Sequence, residues 1–375
     1  MAGLLPNIDP EGLLEYSVVY TDRALNHMSQ RFQGVMRDIS ATLKDVYCAH
    51  ATAIVPGSGT FGMEAVARQF ATDQSVLVIR NGWFSYRWTQ IIEQGRLTEQ
   101  HTVLKARRQV PGDERSPFLP VPADEAAARI RAEKPAVVFV PQVETSAGMQ
   151  LPDDYLRTVA KATREVGGLF VLDAIAAGTL WVDMADLGID VVVTAPQKGW
   201  SGSPCCAMVM LSERAEKRLA ETRSTSFACD LARWHGIMQA YENGGHAYHA
   251  TLPTDALQTL RDIMFETRDY GFARVKQEQQ VVGEAVRAML KRHGFISVAA
   301  DGFDAPGVVV CYTEDPGLPA KLAEQGVQVA GGVALACDEG EHFQTFRIGL
   351  FGLDKLHHPE RSVRHLERAL DALKE

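Results

Sequence analysis

The sequence predicts an α/β fold, with a mostly parallel sheet covered by helices and a smaller C-terminal α+β domain. Two observations carry that expectation. Continuous apolar runs of strand length alternate with helix-like segments over the first part of the chain, as in a sheet buried on both faces. From about Asp255 to Arg292 the apolar period becomes helical, through Leu257, Leu260, Ile263, Met264, Val281, Val282, Val286 and Leu290, before strand-like runs return.

Taken in order, residues 1–19 form an N-terminal segment, and an Ala53-Ile-Val55 lead then gives way to the Gly-rich turn Gly57-Ser-Gly-Thr60 and a helical pattern. The apolar runs Gln74–Ile79, Ala136–Pro141, Leu169–Asp173, Asp190–Thr194 and Ala207–Leu211 read as buried strands, since each is short and bounded by polar or turn residues. Residues 20–255 are thereby assigned to a large domain. The helical segment opens a small domain, 256–375, with strands around Val308–Tyr312 and Phe343–Ile348.

Composition narrows the function. A chain of 375 residues with 46% hydrophobic content can bury a large core. A net charge of −9 and a pI near 5.7 argue against a nucleic-acid partner. No stretch approaches the roughly 18 apolar residues of a membrane span. The Met1–Asp9 terminus has no basic region or signal core, which predicts a cytoplasmic protein. Cys48, Cys205, Cys206, Cys229, Cys311 and Cys337 lack metal-ligand spacing and read as small hydrophobes in a reducing compartment, with a redox role for the adjacent Cys205 and Cys206 left open. No two His residues enclose a Glu at zinc-hydrolase spacing, so no metal is expected.

The chemistry is carried by Lys198, which lies 25 positions after Asp173. Each follows or ends a buried run, so an amine and a carboxylate arrive at the carboxyl ends of two strands, where open α/β sheets bind ligands. Pyridoxal phosphate (PLP) requires that pair: a Lys amine to hold its aldehyde, and a carboxylate to keep its ring nitrogen protonated. The Gly57–Thr60 turn adds backbone N–H groups, hydroxyls and a helix N-terminus, which together suit a phosphate. Lys and Asp at strand ends are commonly solvated, and a Gly-Ser-Gly turn commonly only caps a helix. It is their order along the chain that points to a site.

The sequence resembles a class V, fold type I PLP-dependent aminotransferase of the alanine–glyoxylate or serine–pyruvate kind, from about Met28 onward. The resemblance is carried by Gly57-Ser-Gly-Thr60, Asn81-Gly-Trp-Phe84, Glu144-Thr-Ser-Ala-Gly148, Asp173, Gln197-Lys198, Tyr248-His-Ala-Thr251 and Phe346-Arg-Ile-Gly349. It implies that Lys198 bears PLP and that Asp173 faces the pyridine nitrogen. Ser58, Gly59, Thr60 and Gln197 would bind the phosphate, Phe84 rather than Trp83 would stack on the ring, and Thr145 would reach the phenolic oxygen. Tyr248 and Thr251 would contact the phosphate of a neighbouring subunit, which implies a homodimer with shared sites. Arg347, which in isolation reads as a strand residue on a solvated face, would grip the substrate carboxylate with its planar fork.

The implied activity is ping-pong transfer of an amino group from an alanine- or serine-like donor to glyoxylate or pyruvate, with Lys198 as the base. The string from Gly57 to Ala65 is also similar to that of 2-aminoethylphosphonate–pyruvate aminotransferases, which makes a phosphonate donor the alternative. A PLP-dependent lyase or desulfurase on the same scaffold is another, and Cys337 is the one cysteine in a loop suited to a desulfurase. A cofactor-bound sensor without catalysis is disfavoured by the intact Lys198, Asp173 and Arg347 set. The N-terminal segment lacks the Gly-Pro-rich loop usual in such enzymes, so Tyr20, His27 and Ser29 become candidates for substrate contact.

Overall fold

A computed structural model describes residues 13–374. The terminal run Met1–Asp9, and with it most of the N-terminal segment, lies outside the described residues.

The first seven major strands are β1 (Ala51–Pro56), β2 (Val76–Arg80), β3 (His101–Lys105), β4 (Val137–Pro141), β5 (Leu169–Asp173), β6 (Val191–Thr194) and β7 (Cys206–Leu211). They form one sheet in the order β1-β7-β6-β5-β4-β2-β3. β7 is antiparallel to both its neighbours, and the other pairings are parallel. Strands β2, β4, β5, β6 and β7 are buried along their whole length, the reason each reads as an unbroken apolar run. β3 escaped the sequence pattern because it is an edge strand, largely half-exposed, with polar residues at His101, Thr102 and Lys105.

Helices α1 (Gln30–Tyr47), α2 (Gly59–Phe70) and α3 (Trp83–Gly95) precede or follow the first two strands. The helical segment read from the sequence as continuous is two helices, α4 (Thr254–Tyr270) and α5 (Phe272–Arg292), broken at Gly271. A second sheet is made of β8 (Val308–Tyr312), β9 (Ala330–Gly331) and β10 (Thr345–Gly349), in the antiparallel order β8-β10-β9. Among the described residues no helix is long and apolar enough to cross a membrane.

Parallel pairing aligns the strand ends. Pro141 of β4 lies opposite Asp173 of β5, Asp173 opposite Val193 of β6, and at the edge Pro56 of β1 opposite Cys206 of β7. The turns after β1, β2, β4, β5 and β6 therefore open on one rim.

Candidate active site

On that rim lies a cavity of about 160 Å³ whose lining includes Ser58, Gly59, Thr60, Phe84, Thr145, Asp173, Gln197 and Lys198. Five turns separated by up to 140 residues of chain thus supply one pocket. The same cavity is lined by Arg87 and Ile175, which the sequence reading did not single out.

The turn after β1 is built for close approach. Gly57 has φ of +120°, and a Cβ there would fall 2.8 Å from Phe61 Cγ. A Cβ on Gly59 would fall 2.7 Å from Ile175 Cδ1, so only glycine leaves the floor of the pocket open. Ser58 occupies the N-cap position of α2 without making a side-chain cap, and its hydroxyl has no partner among the described residues.

Asp173 is 7% exposed at the end of β5. Its Oδ1 accepts the Ile175 amide at 3.0 Å. Burial raises its carboxyl to about 7, with the Ile175 amide opposing, Glu144 adding to the rise and Arg87 lowering it. An acid this reluctant to ionise is suited to a cationic partner. Lys198 shows the mirror image: burial, followed by the charges of Arg347 and Arg87, lowers its pKa and favours the neutral amine. Its Nζ sits 5.4 Å from the Phe351 ring centroid. Beside it, Gln197 Oε1 is buried with no partner among the described residues.

Glu144 organises the neighbouring wall. Its carboxylate, fully buried, accepts the backbone N–H groups of Phe84 at 3.1 Å, Ser85 at 2.9 Å and Ser146 at 3.0 Å, and the hydroxyls of Ser85 at 2.6 Å and Ser146 at 2.7 Å. It serves as the N-terminal anchor of α3, where Gly82 has no side chain to cap with. One carboxylate thus fixes Phe84 to the turn that holds Thr145.

Arg347 projects from β10 on the face opposite the buried Phe346 and Ile348. Its Nε donates to Gly331 O at 3.0 Å and its guanidinium lies 5.8 Å from the Phe84 ring centroid. It forms no ion pair among the described residues. Tyr248 and Thr251 are not part of this chain's cavity: their hydroxyls bond each other at 3.1 Å, and Tyr248 is 55% exposed.

Four candidates are corrected or relocated. Ser29 is not a substrate contact, because it is the buried N-cap of α1, its Oγ accepting Phe32 N at 3.1 Å and donating to Asn26 O at 2.9 Å. Tyr20 and His27 lie outside the cavity and pack against the Tyr248 segment, with His27 5.6 Å from each of the Tyr20 and Tyr248 rings and Tyr20 Oη donating to Leu252 O at 3.1 Å. Cys337 is 5% exposed, and burial pushes its thiol up to about 12, so it is not the mobile nucleophile a desulfurase needs.

The donor set fits PLP. The open floor at Gly59, the uncapped Ser58, the high-pKa Asp173 and the half-buried Lys198 match the phosphate, ring nitrogen and aldehyde in turn.

Comparison with known proteins agrees. The family model described as aminotransferase class-V matches residues 13–351. A 2-aminoethylphosphonate–pyruvate transaminase of Vibrio vulnificus is 26% identical over 342 residues, 88% of this chain and 85% of that one. Alanine–glyoxylate aminotransferase 1 of Saccharomyces cerevisiae is 24% identical over 373 residues, 94% and 91% of the two chains. Among solved structures, an alanine–glyoxylate aminotransferase from Nostoc sp. superposes with a TM-score of 0.76 at 22% identity, covering 92% of this chain and 88% of its own. Pyridoxamine–pyruvate aminotransferase from Mesorhizobium loti gives 0.78 at 18% identity, covering 100% and 91%. With the fold of these enzymes and a match spanning 13–351, the chain belongs to the class V family of PLP-dependent, fold type I aminotransferases.

Proposed function

We propose that this aminotransferase moves an amino group from a small, alanine- or serine-like donor to glyoxylate or pyruvate in a ping-pong cycle. The observation that carries the reading is the single cavity in which Lys198, Asp173 and the Ser58–Thr60 turn meet, with Arg347 near its Phe84 wall.

When bound, PLP supplies an aldehyde for covalent capture of amines and a ring that draws electrons from the captured carbon. In this proposal Ser58, Gly59, Thr60 and Gln197 hold its phosphate, Thr145 its phenolic oxygen and Phe84 one ring face. Asp173 retains the proton on the ring nitrogen, its buried charge offset by that cation. Arg347 would grip the donor carboxylate with its planar fork and so orient the donor. Lys198 Nζ, its pKa lowered by burial and by the nearby Arg347 and Arg87, would serve as the base for the donor's Cα proton.

A homodimer with shared sites belongs to the same proposal. It is supported by the outward-facing Tyr248–Thr251 pair and by Phe61 and Phe227, large apolar residues that stand exposed. So does the division of the chain at residue 255 into a cofactor-binding and a smaller domain. A cytoplasmic setting is supported by six free thiols among the described residues. The alternative donor, 2-aminoethylphosphonate, is favoured by relatives such as the Vibrio vulnificus enzyme named above. Mixing the loaded enzyme with single donors and following the cofactor absorbance separates the two. Conversion by alanine or serine supports the first reading, and conversion by the aminophosphonate alone replaces it.

A further inference from the structure

Arg87 occupies an unusual position for a surface-helix arginine. It projects from the first turn and a half of α3 into the cavity, half-buried, with its guanidinium 4.7 Å from the Phe84 ring centroid. Its Nη1 donates to Thr60 Oγ1 at 3.2 Å. Among the described residues it has no carboxylate partner. A partly desolvated guanidinium whose bonding is met by a neutral hydroxyl is left with capacity for an anion.

The surrounding donors are in the same condition. The first backbone bonds of α2 begin at Phe61 N, which donates to Ser58 O at 2.9 Å, so the N–H groups of Gly59 and Thr60 have no protein acceptor among the described residues. Two elements therefore bring donors with spare capacity to one cavity: the α2 N-terminus, with the Ser58 hydroxyl at its cap, and Arg87 of α3. Charge accounting points the same way. A helix end offers about half a positive charge, while a phosphate ester carries about 1.5 to 2 negative ones. Lys198 is committed to the aldehyde, and Arg347 bonds Gly331 O and is absent from the lining of the cavity.

We infer that Arg87 is a cofactor-binding residue that supplies the cation for the phosphate of PLP, with Thr60 orienting its fork and Phe84 supporting its stem. This rests on the reading of the cavity as the PLP site. It assigns the two guanidinium groups near Phe84 to different anions, Arg87 to the cofactor and Arg347 to the substrate.

The test truncates the ligand rather than the protein alone. Pyridoxal has the ring and aldehyde of PLP and lacks the phosphate. Dissociation constants of both are measured from the absorbance of the Lys198 adduct, in wild type, Arg87→Gln and Arg87→Lys. Losing a charge-assisted bond should weaken PLP by roughly ten- to a hundredfold in Arg87→Gln and leave pyridoxal within a few-fold. Arg87→Lys keeps the charge and loses the fork, and should fall between. Retained pyridoxal binding also shows that the site has kept its shape. Equal losses for both ligands, in the glutamine and the lysine variants alike, would overturn the inference and make Arg87 a support for Phe84. Unchanged PLP affinity with impaired donor turnover would overturn it too, placing Arg87 at the substrate. A wild-type chain that forms no adduct with PLP would instead sink the cofactor site itself, and Arg87's part in it.

Discussion

Replacing Asp173 by Asn tests whether the site stores electrostatic cost for its cofactor. The substitution keeps an acceptor for the Ile175 amide and removes the titration. In the cofactor-free chain the folded-state carboxyl is raised from 3.8 to about 7. The folded state then holds the proton more tightly than the unfolded one, so wild-type stability is greatest below about pH 4 and is lost as pH rises through 7. At 1.36 kcal/mol per unit the cost is about 4 kcal/mol at pH 8 and about 1.5 to 2 kcal/mol at pH 5. Urea unfolding of the cofactor-free proteins at fixed concentration should find Asp173→Asn the more stable at pH 8, with an advantage about 2.5 kcal/mol larger there than at pH 5. With PLP bound the order should invert, because the ring-nitrogen cation then pairs with the carboxylate, and turnover of the variant should fall by orders of magnitude. If the two cofactor-free proteins keep a constant stability difference from pH 5 to 8, Asp173 does not carry the buried charge assigned to it.

Lys198→Ala should remain folded, since it removes little core packing, while losing the adduct absorbance and transamination; full turnover would remove the basis of the mechanism. Arg347→Lys should weaken carboxylate-bearing donors by about 1.5 to 3 kcal/mol per charged bond lost and spare an aminoalkylphosphonate in its own half-reaction, as single-turnover kinetics would show. Equal losses for both donors would place Arg347 outside the substrate site. Glu144→Ala strands the N–H groups of Phe84, Ser85 and Ser146 in a buried setting. At about 1 to 3 kcal/mol for each unmatched group, denaturant unfolding should register a loss of at least about 3 kcal/mol, and a smaller effect than 1 kcal/mol would mean water or another side chain replaces the carboxylate.

Burial explains what could be read in advance. Leu169–Asp173 matches its strand residue for residue because a strand covered on both faces leaves an unbroken apolar run, and its polar end marks the rim. Direction leaves no such trace: nothing in the residues of Cys206–Leu211 distinguishes the antiparallel strand from its parallel neighbours. The positions of Phe84 and Thr145 were drawn from the family resemblance, not from periodicity. Arg87 was missed although it lies three residues beyond Phe84, a spacing that puts both on one helical face. An arginine near the start of a helix looks the same in sequence whether it meets water or a phosphate. The role of Glu144 leaves no mark in the sequence, since its five donors come from two segments some 60 residues apart.

The antiparallel strand also imposes an order on biosynthesis. β1 lies at the sheet edge and bonds only β7, pairing Ala51 with Leu211 and Pro56 with Cys206. A nascent chain that has emerged through Thr194 already possesses the parallel strands β2 to β6, Asp173 and the Glu144 anchor, yet its β1 has no strand to bond. Lys198 itself is made only a few residues before the strand that pairs with β1. Pairings so distant in sequence form slowly, after local contacts have settled. The edge of the sheet that carries the Gly57–Thr60 turn is therefore completed only after roughly the first 211 residues have left the ribosome, and a truncated product ending before β7 should hold the cofactor more weakly than the full chain.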